Sequence, residues 1–277
     1  MFWRRTVPKF IDAFLDAFSK RLCYGCSKKY TEGYYCDFCL EGLKFTWTKE
    51  GMSRKYLDFD YIELAQILEL DLPLYPKIFS TTKYNDMTKA LIRDFKYRKP
   101  HLAEFWAKWL YDYWTKHADW ILSELKWEQL DKSQHQVVGK VDIYISPVPM
   151  HAKKEARREY NQAKLLAEDF ANCFEASQHY LMQTKHGLQL LELNSVSLMP
   201  AMFERVKETP SLFNKSKFER LEILDGAFAL KHDLNLNPEN QAVVLLLDDI
   251  STTGATFLEL FKLMNLDAEI VFLSLCS

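Results

Sequence analysis

Residues 243–259, VVLLLDDISTTGATFLE, bring two carboxylates, four hydroxyls and a glycine together at the end of an apolar run. Each residue type has a task. An apolar strand ending in Asp248 and Asp249 sets two hydrogen-bond acceptors at the carboxyl end of a sheet, where α/β proteins bind ligands. Ser251, Thr252, Thr253 and Thr256 offer hydroxyl donors, and the turn itself exposes backbone amides to an anion. Gly254 lets that backbone approach closely, and Ala255 leads into the following helix. A plain strand, turn and helix cap explains one acid and one hydroxyl, not this whole set. No lysine follows the glycine, so this is not a Walker loop. The chemistry read from the residues is recognition of a phosphorylated sugar, with the acids on its hydroxyls or on a Mg²⁺ through water.

A second segment, ISPVPMHAKKEARREYNQAKLLAEDFA (145–171), places cations just beyond another strand end. Pro149, Met150, His151, Lys153, Lys154 and Arg158 are candidates for the diphosphate side of such a ligand, because several negative charges need cations as well as amides. The alternative is a solvated helix face. His151 suits a loop hydrogen bond as well as acid catalysis, so the catalytic residue stays unassigned.

Cys23-x-x-Cys26 and Cys36-x-x-Cys39 form two tight pairs within 17 residues. Each pair turns two thiolates toward one ion, and two pairs complete a tetrahedral Zn–S₄ site. A closed four-thiolate site has no open position, which makes zinc here structural; a redox dithiol and an iron–sulfur cluster are the alternatives. Cys173 and Cys276 read as buried inert thiols.

The elements that must position these groups alternate between strand and helix. Residues 77–84, 141–149, 241–249 and 268–275 read as strands, the last three strongly apolar. Helices are expected over 87–97, 102–127, 153–174 and 254–264, and a further one over 61–70. Residues 176–203 show no clear pattern. The tryptophans of 102–127 read as packing surface. The alternation argues for an α/β fold built on a parallel sheet.

Composition excludes several classes. The chain has 277 residues, 48% hydrophobic and 27% charged, with a net charge of −2. Such a balance suits a globular protein and gives no global basic field for nucleic acid. The first 22 residues have basic and apolar stretches, but Asp12 and Asp16 interrupt them. Phe10, Phe14, Leu15 and Phe18 recur at helical spacing, so an amphipathic helix is expected instead of an export signal. No run reaches a membrane span. A cytoplasmic protein is expected.

The 243–259 segment resembles the phosphoribosyl-pyrophosphate (PRPP) motif of type I phosphoribosyltransferases. The resemblance implies that Asp248 and Asp249 contact the ribose hydroxyls, while 251–256 cradle the 5′-phosphate and Mg²⁺ accompanies PRPP. PVPMHAKKEARREYNQA further resembles the P-V-P-L-H-x-x-R-x-x-x-R-G-F-N-Q-A segment of the ComF family, competence-associated phosphoribosyltransferase-like proteins. Pro147, Val148, Pro149, His151, Arg158, Asn161 and Gln162 match, with Glu159 and Tyr160 in place of Gly-Phe. Lys96 and Tyr97 match its L-K-Y-R-G stretch. Arg205, Thr209, Arg220, Gly226, Ala227 and Phe228 match a third segment, where Leu212 and Ile223 replace a usual Gln and Asn. Relative to that family, 112–140 and 176–203 look like insertions.

The resemblance implies a type I phosphoribosyltransferase-like parallel sheet flanked by helices over residues 71–277. Residues 1–70 would hold an N-terminal helix and a small zinc ribbon. It implies PRPP or ribose phosphate as ligand and a part in DNA uptake or transformation, with single-stranded DNA and DNA-uptake proteins as partners. An active glycosyl-transferring enzyme and a PRPP sensor without chemistry are the alternatives. The DNA-facing candidates are Arg4, Arg5, Lys20, Arg21, Lys28 and Lys29, with Tyr24, Tyr30, Tyr34 and Tyr35 for stacking.

Overall fold

A computed structural model describes residues 23, 26, 28, 35–44, 77–82, 84–123, 139–175, 178–184, 187–212, 214–232, 236, 237, 239–264 and 268–276. The helices expected in the first 22 residues and over 61–70 lie outside them.

The chain forms α1 (Asp37–Lys44), β1 (Lys77–Thr82), α2 (Asp86–Tyr97), α3 (Leu102–Ser123), β2 (Gly139–Pro147), α4 (Ala152–Arg158), α5 (Gln162–Ala171), β3 (His179–Thr184) and β4 (Gly187–Leu198). There follow β5 (Phe203–Arg205), α6 (Lys217–Leu224), β6 (Phe228–Leu230), β7 (Gln241–Ile250), α7 (Ala255–Phe261) and β8 (Glu269–Cys276). Six strands form one sheet in the order β1-β8-β7-β2-β4-β3. Every pairing in it is parallel except the β3–β4 edge. β5 and β6 form a separate antiparallel pair. This is an α/β fold with a mostly parallel sheet flanked by helices.

β7 explains why the sheet is central. Val243, Val244, Leu245, Leu246 and Leu247 all show 0% exposure, so both faces of the strand are covered, as a parallel sheet requires. Val243, Leu245 and Leu247 join Ile143 and Ile145 in the core that holds α2, α3 and α5. Val244 and Leu246 join the core under α6 and α7. On the first face, Trp106 and Trp114 of α3 are fully buried, and Trp114 Nε1 donates to Tyr180 Oη at 3.3 Å. The tryptophan-rich helix is therefore core packing.

Two segments depart from the sequence expectation. Residues 153–174 are two helices, not one. Glu159 takes a left-handed conformation with φ 69°, and Asn161 then caps α5 by accepting from Ala163 and Lys164 amides. Residues 176–203, which showed no pattern, supply the β3–β4 edge of the main sheet. A register shift between Val141 and Asp142 accommodates β4. There the buried Asp142 accepts from Asn194 at 2.7 Å and Ser195 at 2.5 Å, and from Asn240 at 2.7 Å. Burial pushes this carboxyl up, but the three hydrogen bonds outweigh it and hold its pKa below the ordinary value.

Candidate functional site

The parallel register brings the carboxyl ends of β1, β8, β7 and β2 to one edge, and the two chemistry-bearing segments leave from adjacent strands there. Asp248 and Asp249, consecutive on β7, alternate across the sheet. Asp249 is buried and its Oδ2 lies 3.0 Å from Lys96 Nζ on α2. The same oxygen makes no well-formed hydrogen bond among the described residues. Asp248 Oδ1 accepts from the Asp249 amide at 2.8 Å. Burial, with the neighbouring Asp249 charge, raises the Asp248 pKa well above the carboxylate range, and Lys96 opposes that rise.

The loop after β7 leaves most of its amides unpaired among the described residues. Ser251 donates its amide to the Cys276 carbonyl at 2.9 Å, so that amide is spent on the sheet. The amides of Thr252, Thr253, Gly254, Ala255 and Thr256 donate to no acceptor among the described residues. Gly254 has φ 69°, and a Cβ there would come within 3.0 Å of Ile78 Cδ1. The backbone conformation calls for glycine, and the nearby Ile78 methyl leaves little room for a larger residue. From α6, Arg220 donates to the Thr252 hydroxyl and, through Nε, to the Lys215 carbonyl at 3.0 Å.

Around this loop and acid pair the fold gathers cations. Lys96, Lys154, Arg158 and Arg205 act on one another or on Asp248 through charge. Burial lowers the Lys154 pKa first, and the charges of Arg158, Arg205 and Lys96 lower it further. Burial likewise lowers that of Arg205, with Asp248 opposing. Burial would lower Lys96 too, but the attraction of Asp249 and Asp248 prevails and raises it. Arg158 lies over the Tyr97 ring at 4.6 Å, donates to its hydroxyl at 3.1 Å, and holds Gln162 Oε1 at 2.9 Å.

The structure thus separates the basic residues of α4. Lys154 and Arg158 join the site. Lys153 instead pairs with Glu208 at 3.1 Å on the exposed side, as does Arg157 at 2.7 Å. His151 caps α4, its Nδ1 accepting from the Lys153 amide at 3.3 Å. Pro149 and Met150 line the half-buried turn before it. Lys96, Arg205 and Arg220 were not nominated from the sequence. Their signal lay in the two further stretches that match the ComF pattern. Leu212, where that pattern has a glutamine, packs against the apolar core under α6 and α7.

Two carboxylates against four cations leave a surplus of two positive charges. That suits a polyanion.

The cysteines make a second centre. The Sγ atoms of Cys23, Cys26, Cys36 and Cys39 all lie within 4.8 Å of one another. A tetrahedral Zn–S₄ site with bonds of about 2.3 Å has S···S edges of roughly 3.8 Å, and Cys26 Sγ to Cys36 Sγ is 3.7 Å. The set fits a structural metal ion such as zinc. Cys23, Tyr35 and Cys39 are buried in the same core as α3, with the Tyr35 ring 4.7 Å from Phe105. Tyr35, at 1% exposure, is therefore not available to stack a base. The other aromatic candidates and most of the basic ones lie outside the described residues; Lys28 is exposed. No helix among the described residues is long and apolar enough to cross a membrane.

No family model matches the chain. It is 27% identical over 244 residues to Competence protein F of Haemophilus influenzae, a match covering 88% of this chain and 84% of that protein. With the three matched segments now found around one sheet edge and the four cysteines drawn together, the likeness to that competence protein supports membership of the ComF family.

Proposed function

We propose that this protein binds PRPP or a related ribose phosphate at the carboxyl edge of its sheet, in a competence-related role in DNA uptake or transformation. The observation that carries the reading is the acid pair Asp248–Asp249, flanked by a loop with unspent amides and by four cations. The loop 251–256 takes the 5′-phosphate, Asp248 and Asp249 face the ribose hydroxyls, and Lys154, Arg158 and Arg205 take the diphosphate. The biological role comes from the relative named Competence protein F. The fold would then be of the type I phosphoribosyltransferase kind, with zinc in the four-cysteine centre.

Calorimetric titration of PRPP into wild type and into the Asp248→Asn/Asp249→Asn double variant tests the reading. At least a tenfold loss of affinity is expected in the variant, since charge-assisted hydrogen bonds each contribute about 1.5–3 kcal/mol. Equal affinities would exclude it. Transfer would form a bond from an acceptor nitrogen to C1 as the C1–O bond to diphosphate breaks. Diphosphate release with a panel of bases distinguishes turnover from binding alone. Leu212, partly buried against the apolar core where the family has a polar residue, favours binding alone.

A further inference from the structure

The acid pair has a counter-ion within the fold. Lys96 reaches from the last turn of α2 to within 3.0 Å of Asp249 Oδ2, with its side chain 21% exposed and that of Asp249 4%. Its position is determined by packing. Leu91, Ile92 and Phe95 of the same helix are at 0–1% exposure against the sheet, and Tyr160 donates its hydroxyl to the Phe95 carbonyl. The ammonium therefore cannot drift far from Asp249. Lys154, Arg158 and Arg205 add their charges around the same pair, with Arg158 set over the ring of Tyr97, the residue after Lys96, leaving the site with its positive surplus.

A divalent cation serves two purposes between adjacent carboxylates and a diphosphate: it neutralises the acids, and it bridges them to the ligand's oxygens. Here neutralisation is done by Lys96 and the surplus charge by three more side chains. An incoming Mg²⁺ would have to displace an ion pair from a buried carboxylate and enter a region of like charge. Both effects oppose it.

We infer that this chain recognises PRPP without a divalent cation, Lys96 serving as the fixed counter-ion to Asp249. The inference rests on the PRPP-binding reading above. It extends that reading by stating which form of the ligand is taken, the metal-free polyanion, and which side chain replaces the metal. Lys96 is here a positioning and charge-neutralising residue with no assigned part in bond making.

The test is PRPP binding by calorimetry in a chelator-free buffer with millimolar Mg²⁺ and in the same buffer made up without divalent cations, zinc content being measured after each run. Wild type is expected to bind with affinities within about threefold in the two conditions. Lys96→Gln is expected to lose at least tenfold in metal-free affinity and to regain part of it with Mg²⁺, while Lys96→Arg keeps metal-free binding. Wild-type affinity that falls tenfold or more without Mg²⁺ overturns the inference, and needs no variant to do so. A Lys96→Gln protein, folded by circular dichroism, that binds metal-free PRPP as wild type does also overturns it. Absence of PRPP binding by wild type in both conditions defeats the underlying ligand reading instead.

Discussion

Glu208, on the segment between β5 and α6, bridges two cations of α4: Arg157 at 2.7 Å on one carboxylate oxygen and Lys153 at 3.1 Å on the other. The bridge spans the outside of the site, and its partners are exposed. It diverts two positive charges from the ligand side. Glu208→Gln is expected to leave the thermal midpoint unchanged, since exposed pairs contribute little. PRPP affinity should rise a few-fold, and the gain should shrink as salt is added. Titrations at two ionic strengths check this; a fall in affinity would mean that the bridge holds the segment in a productive position.

Asp248 is held against its own ionisation. Its folded pKa lies above the unfolded one because of burial and the Asp249 charge. The carboxyl therefore favours folding fully only below the unfolded value of about 3.9, and that contribution disappears as pH rises through the folded value. Asp248→Asn keeps an acceptor for the Asp249 amide and removes the charge. At pH 7 it should raise stability by about 1 kcal/mol, or roughly 2–4 °C in Tm, while weakening PRPP binding. Melts from pH 4 to pH 8 should show the two proteins diverging as pH increases. Site residues that trade stability for binding are common.

Glu159 sits in the left-handed region with φ 69° between α4 and α5. For a residue with a Cβ this costs about 1–2 kcal/mol, whereas glycine adopts it freely at some cost in unfolded-state entropy. Glu159→Gly should therefore stabilise the fold by about 0.5–1 kcal/mol, measured by urea denaturation, with Arg158 and Asn161 still able to take their places. A loss of stability would show that the Glu159 side chain contributes more than its strained backbone costs.

The cysteine centre is built into the main core through Cys23, Tyr35 and Cys39. Metal analysis of the purified protein should find about one zinc per chain. Stripping that metal with a strong chelator should lower Tm, because metal that binds the folded state alone stabilises it by mass action and that stabilisation is lost with the metal. Tryptophan fluorescence should change at the same time, as Trp106 meets Phe105 edge-on and Trp109 stacks on it, and Phe105 is the ring that Tyr35 touches. A metal-free protein with wild-type Tm would end the structural-metal assignment.

Much of the architecture was present in the one-dimensional pattern. VVLLL in β7 could only be a strand covered on both faces, and the two C-x-x-C pairs could come together without help from distant chain, because their spacing is local. The DDISTTGAT loop is likewise local: a strand end, a turn needing glycine, and a helix start all follow from neighbouring residues. What no local pattern held was the partnership between distant groups. β3 and β4 escaped notice because a strand at the sheet edge carries weak periodicity, and β4 becomes legible only when β2 lies beside it. Lys153 and Lys154 are adjacent in the chain, yet Lys153 pairs with Glu208 while Lys154 is within reach of the charges of Arg158, Arg205, Lys96 and Asp248. Lys96 lies 153 positions from Asp249, and only the packing of α2 on the sheet puts its ammonium against that carboxylate. Residue types determined that an anion-binding loop and a thiolate cluster would exist. The tertiary structure decided which cations face the loop, because charge acts over ångströms in space and is indifferent to distance along the chain.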